Sequence, residues 1–150
     1  AMSEKRPRRV LRTLFVLVPL ALVAAQFVPV DRSNGKVDPA LTLKAKDEVL
    51  AVLRRACFDC HSEETVWPWY SYIAPASWLV ADHVHEGREA LNFSTWLDEY
   101  PDDVDQEDAR GECWDEVKKG KMPMQSYTIL HGEAKLSDAD KALIRDWAGN

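Results

Sequence analysis

Apolar positions change their spacing along the chain, and the changes mark out its elements. Residues 14–30 form a nearly continuous hydrophobic run, broken by Pro19, Gln26 and Pro29, behind a basic flank. From residue 43 the spacing becomes helical. Val49, Leu50, Leu53, Ala56 and Cys57 share one face and predict a helix over residues 43–60. A second helix can start with Pro75 in its first turn and continue through Trp78, Leu79 and Val84, with an interruption expected near Gly87. The acidic run at 101–108 suits the start of a third, reaching about Lys119, with Ala109, Cys113 and Val117 on one face. Ser137 and Asp140 form a capping-box variant ahead of a closing helix whose apolar face is Leu143, Ile144 and Trp147. Nothing alternates with period two over a useful length, so the expected fold class is all-α. The pattern divides the chain into a hydrophobic segment at 1–30, a polar tether at 31–42 containing an Asn34-Gly35 turn, and a helical domain at 43–150.

Composition refines this picture. The chain has 150 residues with 46% apolar content, which fits one folded domain. Net charge is −6, yet Lys5, Arg6, Arg8, Arg9 and Arg12 face only Glu4 at the start, so the remainder is strongly acidic. An acidic body excludes nucleic acid as a partner and suits docking to a basic protein surface. A basic flank before an apolar run is an export signal, read here as an uncleaved anchor, with cleavage after Ala25 as the alternative. Met2 is read as the native start and Ala1 as an added residue. The body is therefore expected on the periplasmic side of a bacterial inner membrane, tethered at its N-terminus or soluble after cleavage.

The most specific chemistry lies in Cys57-Phe58-Asp59-Cys60-His61. On one helical turn, residues three and four apart share a face, so both thiols and the imidazole can reach one porphyrin edge. C-x-x-C-H is the attachment pattern of c-type haem: Cys57 and Cys60 would form thioethers, and His61 would be the proximal iron ligand. A zinc site normally needs a second ligand pair, which the chain lacks, and a thioredoxin-like dithiol belongs to a βαβ setting absent here. One covalent haem c is the expected cofactor, and the compartment implied by the export signal agrees with it. Trp67, Trp69 and Tyr70 follow in a loop that Pro68 keeps out of regular helix, and they are candidates to line the haem edge. The rival reading of these rings is plain packing.

Further segments sharpen the comparison: Thr65-Val66-Trp67-Pro68-Trp69-Tyr70-Ser71, Ile73-Ala74-Pro75-Ala76-Ser77-Trp78, His83-Val84-His85-Glu86-Gly87-Arg88 and Leu91-Asn92-Phe93-Ser94-Thr95-Trp96. With the haem motif, Gly120-Lys121-Met122-Pro123 and the Leu136 to Asp140 stretch, they resemble the bacterial haem-binding domain family over roughly residues 26–150. The resemblance implies a small exported protein with one C-x-x-C-H site and says little about a pathway. The order of parts is also similar to a class I cytochrome c, so the domain is expected to be cytochrome c-like. Pro123 takes Met122 out of helical geometry, and a thioether is the usual sixth ligand in electron-transferring cytochromes c. Met122 is the expected distal ligand, with Met124, His131, His83 and His85 as alternatives. Cys113, on an apolar face, is expected to be a buried inert thiol. The acidic run fails as a calcium loop because Trp114 stands where a bidentate glutamate belongs. The function expected is an exported monohaem cytochrome that passes electrons between redox partner proteins, without enzymatic turnover. A peroxidase-like haem enzyme or a gas or redox sensor is the alternative.

Overall fold

The computed structural model describes residues 5–149, with side chains from Val10 onward. Ala1 and Met2, and Glu4 of the basic flank, lie outside the described residues. All regular structure within them is helical, as the spacing predicts. The chain forms two compact units, one from Ala1–Arg32 with Trp67–Asp82, the other from Ser33–Val66 with His83–Asn150.

The first unit contains helix α1, Lys5–Ala25. Its side chains from Val10 to Val23 are exposed all round the helix. Among the described residues no helix is long and apolar enough to cross a membrane. The helix carries Arg12 and Pro19 and stops at Ala25, which leaves Phe27 and Val28 of the apolar run outside it. Residues 67–82 supply a single 3-10 turn, Trp69–Tyr72, and the first part of a helix.

The second unit holds the remaining helices. Helix α2, Asp47–Ala56, starts later than periodicity suggested, because Leu43 is buried and its N–H donates to the Phe93 carbonyl at 2.9 Å. Asp47 and Glu48 occupy the first turn of α2, where carboxylates favour the positive end of the helix dipole. A one-turn helix α3, Phe58–His61, follows. Helix α4, Ala76–Ala90, begins one residue after Pro75 and runs through Gly87 without the expected interruption. A one-turn α5, Trp96–Glu99, precedes α6, Asp103–Lys118, whose N-terminus Asp102 caps by accepting from the N–H groups of Val104 and Asp105 at 3.0 and 2.9 Å. A short helix the spacing did not reveal, α7, Gln125–Leu130, follows the Met-Pro segment. The last helix, α8, Asp138–Trp147, has the full reciprocal capping box between Ser137 and Asp140.

Helix α2 is the centre of this unit because it is apolar on two sides. Val49 and Leu53 pack with Phe58, Phe93, Trp96 and Ala109, while Val52 packs with Val117 of α6 and Ile144 of α8. At about 1.5–3 kcal/mol for each large apolar side chain removed from water, these two clusters hold α2, and therefore the segment that follows it, in place. Phe58, Phe93 and Trp96 form a ladder of near-parallel rings with centroids 5.0 and 5.9 Å apart. The polar segment read as a tether runs along this unit, with Leu41 accepting from Leu97 N–H at 2.9 Å and Gly35 N–H donating to the Glu63 carboxylate at 2.7 Å.

Candidate functional site

Cys57 is the hinge between α2 and α3. Its N–H closes the last turn of α2 on Leu53 O at 2.8 Å, and its own carbonyl accepts from Cys60 N–H and His61 N–H at 3.1 and 3.0 Å. Its backbone departs from helical values there (φ −129°, ψ −37°), so α2 ends and a fresh turn starts. Cys57, Cys60 and His61 thus lie on one turn. The turn is closed off by Ser62, fully buried, whose hydroxyl donates to Phe58 O at 2.8 Å, and by Thr65, whose hydroxyl donates to Asp59 O at 2.8 Å.

The imidazole of His61 is oriented by the backbone. Nδ1 lies 3.1 Å from the Leu91 carbonyl, which can only accept, so Nδ1 carries the proton and Nε2 keeps the lone pair. Burial pushes the His61 pKa below its usual value, partly offset by hydrogen bonding to backbone at Leu91 and Gly87, so the ring is neutral at pH 7. A neutral imidazole with its Nδ1–H tied to a carbonyl is the form that binds a metal through Nε2. Burial pushes the Cys57 thiol up to about 12, with the neighbouring thiols Cys113 and Cys60 adding to the effect. Burial pushes Cys60 up to about 11, with Asp59 also raising it. Both thiols are therefore uncharged, and neither is in a disulfide.

Two adjoining cavities open against this turn. One, of about 230 Å³, is bounded by Cys57, Cys60, His61, His83, Met122 and Tyr127, with Met124 also in its wall. The other, of about 320 Å³, shares Cys57, His61 and Met122 and adds Phe93 and Cys113. Their sizes fall around the lower end of the range for small-molecule sites, and their walls are mainly apolar. Met122 is thus brought to the same space as the C-x-x-C-H residues, from a loop some sixty positions later in the chain. Gly120 sets up that loop with φ +70°, and the Glu116 carbonyl accepts from both Lys121 and Met122 N–H, at 3.0 and 3.2 Å.

Among the alternatives named for the distal position, Met124 and His83 also reach the first cavity. His85 is exposed, and His131 stacks on Tyr127 at 4.2 Å and contacts the Glu133 carboxylate at 3.1 Å. Trp67, Trp69 and Tyr70 belong to the other unit, where the Trp69 ring meets Tyr70 edge-on at 5.8 Å and is 75% exposed. Cys113, expected to be inert core, lies in the wall of the second cavity, and burial raises its thiol to about 12.

Three positions important to the site were not evident from spacing. Gly87 is one: a Cβ there would lie 2.5 Å from the Cys60 carbonyl oxygen, so α4 packs backbone to backbone against the motif. A glycine inside an otherwise helical pattern is the signal for such a close approach, and it was read instead as a break. Arg88 is the second. Its guanidinium donates to the Ser62 carbonyl (2.8 Å), the Thr65 hydroxyl (2.9 Å), Asn34 Oδ1 (2.8 Å) and the Ser33 carbonyl (3.1 Å), and pairs with Glu63 at 3.0 Å. Glu63 in turn accepts from Asn92 at 3.0 Å. Tyr127 is the third, donating from its hydroxyl to Asp59 Oδ2 at 2.7 Å and so linking α7 to the residue between the two cysteines.

The haem-binding domain family is matched over residues 20–150 of the chain. Among curated proteins, the chain is similar to the cytochrome c peroxidase Ccp of Escherichia coli (strain K12), 30% identical over 121 residues, which is 77% of this chain and 25% of that protein. The chain therefore spans about a quarter of the length of that relative. No solved structure matches it.

Proposed function

The chain belongs to the haem-binding domain family, and from that premise we propose that it is an exported monohaem c-type cytochrome that carries electrons between periplasmic or membrane redox partners. The residues present fit the group: an apolar space, two uncharged thiols on one turn, and an imidazole whose Nε2 is the free nitrogen. Haem, when bound, supplies a one-electron iron couple. Cys57 and Cys60 would hold it as thioethers, each S–H adding across one vinyl substituent so that a C–S and a C–H bond replace the S–H and the C=C π bond. His61 would offer Nε2 to the iron, with its Nδ1–H held on the Leu91 carbonyl. Met122, in the wall of the same cavity, would offer a thioether, which would favour the reduced state relative to a second imidazole. Phe93 and the apolar wall exclude water. The acidic body favours encounter with a basic partner surface. On this reading the basic flank and apolar run of the N-terminal segment tether the domain at the periplasmic face of the inner membrane.

The observation that carries this reading is the convergence of Cys57, Cys60, His61 and Met122 around one cavity. An absorbance spectrum of the exported protein tests it. The ferric protein is expected to be low-spin with the thioether-to-iron band, and Met122→Ala is expected to lose that band while Met124→Ala keeps it.

The similarity to a cytochrome c peroxidase supports a second reading, a peroxidase-like enzyme with an open distal position. His83, in the cavity wall, is then the available acid or base. A high-spin, five-coordinate ferric spectrum that Met122→Ala leaves unchanged favours the enzyme over the carrier.

A further inference from the structure

Residues 67–81 contain three tryptophans (Trp67, Trp69, Trp78), two tyrosines (Tyr70, Tyr72) and not one charged side chain. The stretch is not tucked away. Trp69 is 75% exposed, Tyr72 60%, Leu79 57%, and Ile73 and Trp78 also face outward. Its backbone is nonetheless firmly held. Ser71 N–H closes the 3-10 turn on Pro68 O at 2.9 Å, and the buried Ser71 hydroxyl donates to the same carbonyl at 2.6 Å.

The same unit fastens this stretch to the end of α1. The Gln26 amide makes a two-way pair with Ala74, donating to its carbonyl at 3.2 Å and accepting from its N–H at 3.0 Å. Arg32 donates to the Ser71 carbonyl at 3.2 Å and places its guanidinium over the Tyr72 ring, 4.6 Å from the centroid. The aromatic turn therefore sits at the foot of a helix whose residues 14–25 are apolar on every side.

From this arrangement we infer that residues 69–79 are a membrane-interface shelf. Trp69, Tyr72 and Trp78 enter the headgroup and upper acyl layer of an anionic bilayer where α1 meets it, with Arg32 at the phosphate level. The inference rests on the proposed membrane attachment of α1. The occupant is lipid rather than protein for two reasons. A helical stretch apolar right round its circumference, as residues 14–25 are, is satisfied by a surrounding apolar medium, whereas a docked protein covers one face. Amphipathic Trp and Tyr rings next to a cation, here Arg32 over Tyr72, are the side chains enriched at the membrane–water boundary, and that cation complements anionic lipid. α1 alone is short of a span, so a second contact at its foot adds to a marginal first one.

The test uses the full-length, haem-loaded protein with vesicles of phosphatidylcholine and phosphatidylglycerol, prepared with ordinary or acyl-brominated phosphatidylcholine. The protein is expected to float with both vesicles and to lose tryptophan emission in the brominated ones. A variant with Trp69→Ser, Tyr72→Ser and Trp78→Ser is expected to float as well but to lose most of that quenching. The single variants Trp69→Phe and Trp78→Phe keep a ring in place and are each expected to remove part of the quenched signal, which covers the case of a triple variant that does not fold. Flotation without quenching, or quenching that the variants leave intact, overturns the shelf and keeps the attachment of α1. No flotation overturns both, and self-association in its place assigns the surface to a second copy.

Discussion

Replacing Gly87 by alanine tests whether α4 truly abuts the haem-motif backbone. The added Cβ would lie 2.5 Å from the Cys60 carbonyl oxygen, 3.0 Å from its carbonyl carbon and 3.1 Å from its Cβ, whereas ordinary contact begins at 3.4 Å. The clashing atoms are backbone, so no side chain can swing away, and α4 must separate from the motif by about 0.9 Å. Overpacking of this kind costs about 1–3 kcal/mol, and a rigid opposing carbonyl places this site at the upper end. Alanine's better helix propensity returns about 1 kcal/mol, leaving a net loss near 2 kcal/mol. For a chain of this length that lowers Tm by about 4–8 °C, read by circular dichroism on the haem-loaded protein. Gly111→Ala is the internal control. It also lies within a helix, nothing stands within 4 Å of its Cβ, and it is expected to melt at or slightly above the wild type. A Gly87→Ala protein that melts like the Gly111→Ala protein would refute the close approach.

Other consequences can be read from the same contacts. Asp140, held by the Ser137 hydroxyl and by Arg55 at 2.5 Å, has its carboxyl depressed from 3.8 to about 2. At 1.36 kcal/mol per pH unit this is about 2 kcal/mol, reduced to about 1 by solvent access to the pair. Because the folded-state value is the lower one, that contribution is complete above about pH 4 and disappears as the pH falls toward 2. Asp140→Asn is expected to flatten the acid limb of a stability-against-pH curve, and an unchanged limb would remove Asp140 from the explanation. Arg88→Met strands the Glu63 carboxylate and frees the Ser62 and Ser33 carbonyls, at an expected cost of about 2–3 kcal/mol for a pair only partly exposed. The urea midpoint should drop with the slope unchanged; no drop would mean the network is dispensable.

Legibility in the sequence followed the range of the interactions involved. The C-x-x-C-H turn depends on spacings of three and four, and Asp102, Ser137 and Asp140 make their caps within three residues, so local pattern sufficed for these. The apolar face of α2 was also legible. Its start was not, because Leu43 is held outside the helix by its bond to Phe93, fifty positions away, and no local signal encodes that bond. Helix propensity alone disfavours Gly87 inside a helix, whereas the Cys60 carbonyl that requires a glycine there lies outside any local pattern. Cys113 was placed on the right helix and face, yet whether that face met core or cavity depended on where Met122 and Phe93 came to rest. Met122 itself was legible through Pro123 and the preceding Gly120, whose positive φ turns the chain back toward α6. Tyr127 was invisible, since its partner Asp59 lies sixty-eight positions earlier.

The central claim is that Cys57 and Cys60 bind one haem covalently. Intact-mass measurement of the denatured protein, exported from a host able to mature c-type cytochromes, tests it directly. The account predicts a mass equal to the polypeptide plus one haem, abolished when Cys57→Ser and Cys60→Ser are combined. A mass equal to the bare polypeptide, from a colourless preparation, would contradict it.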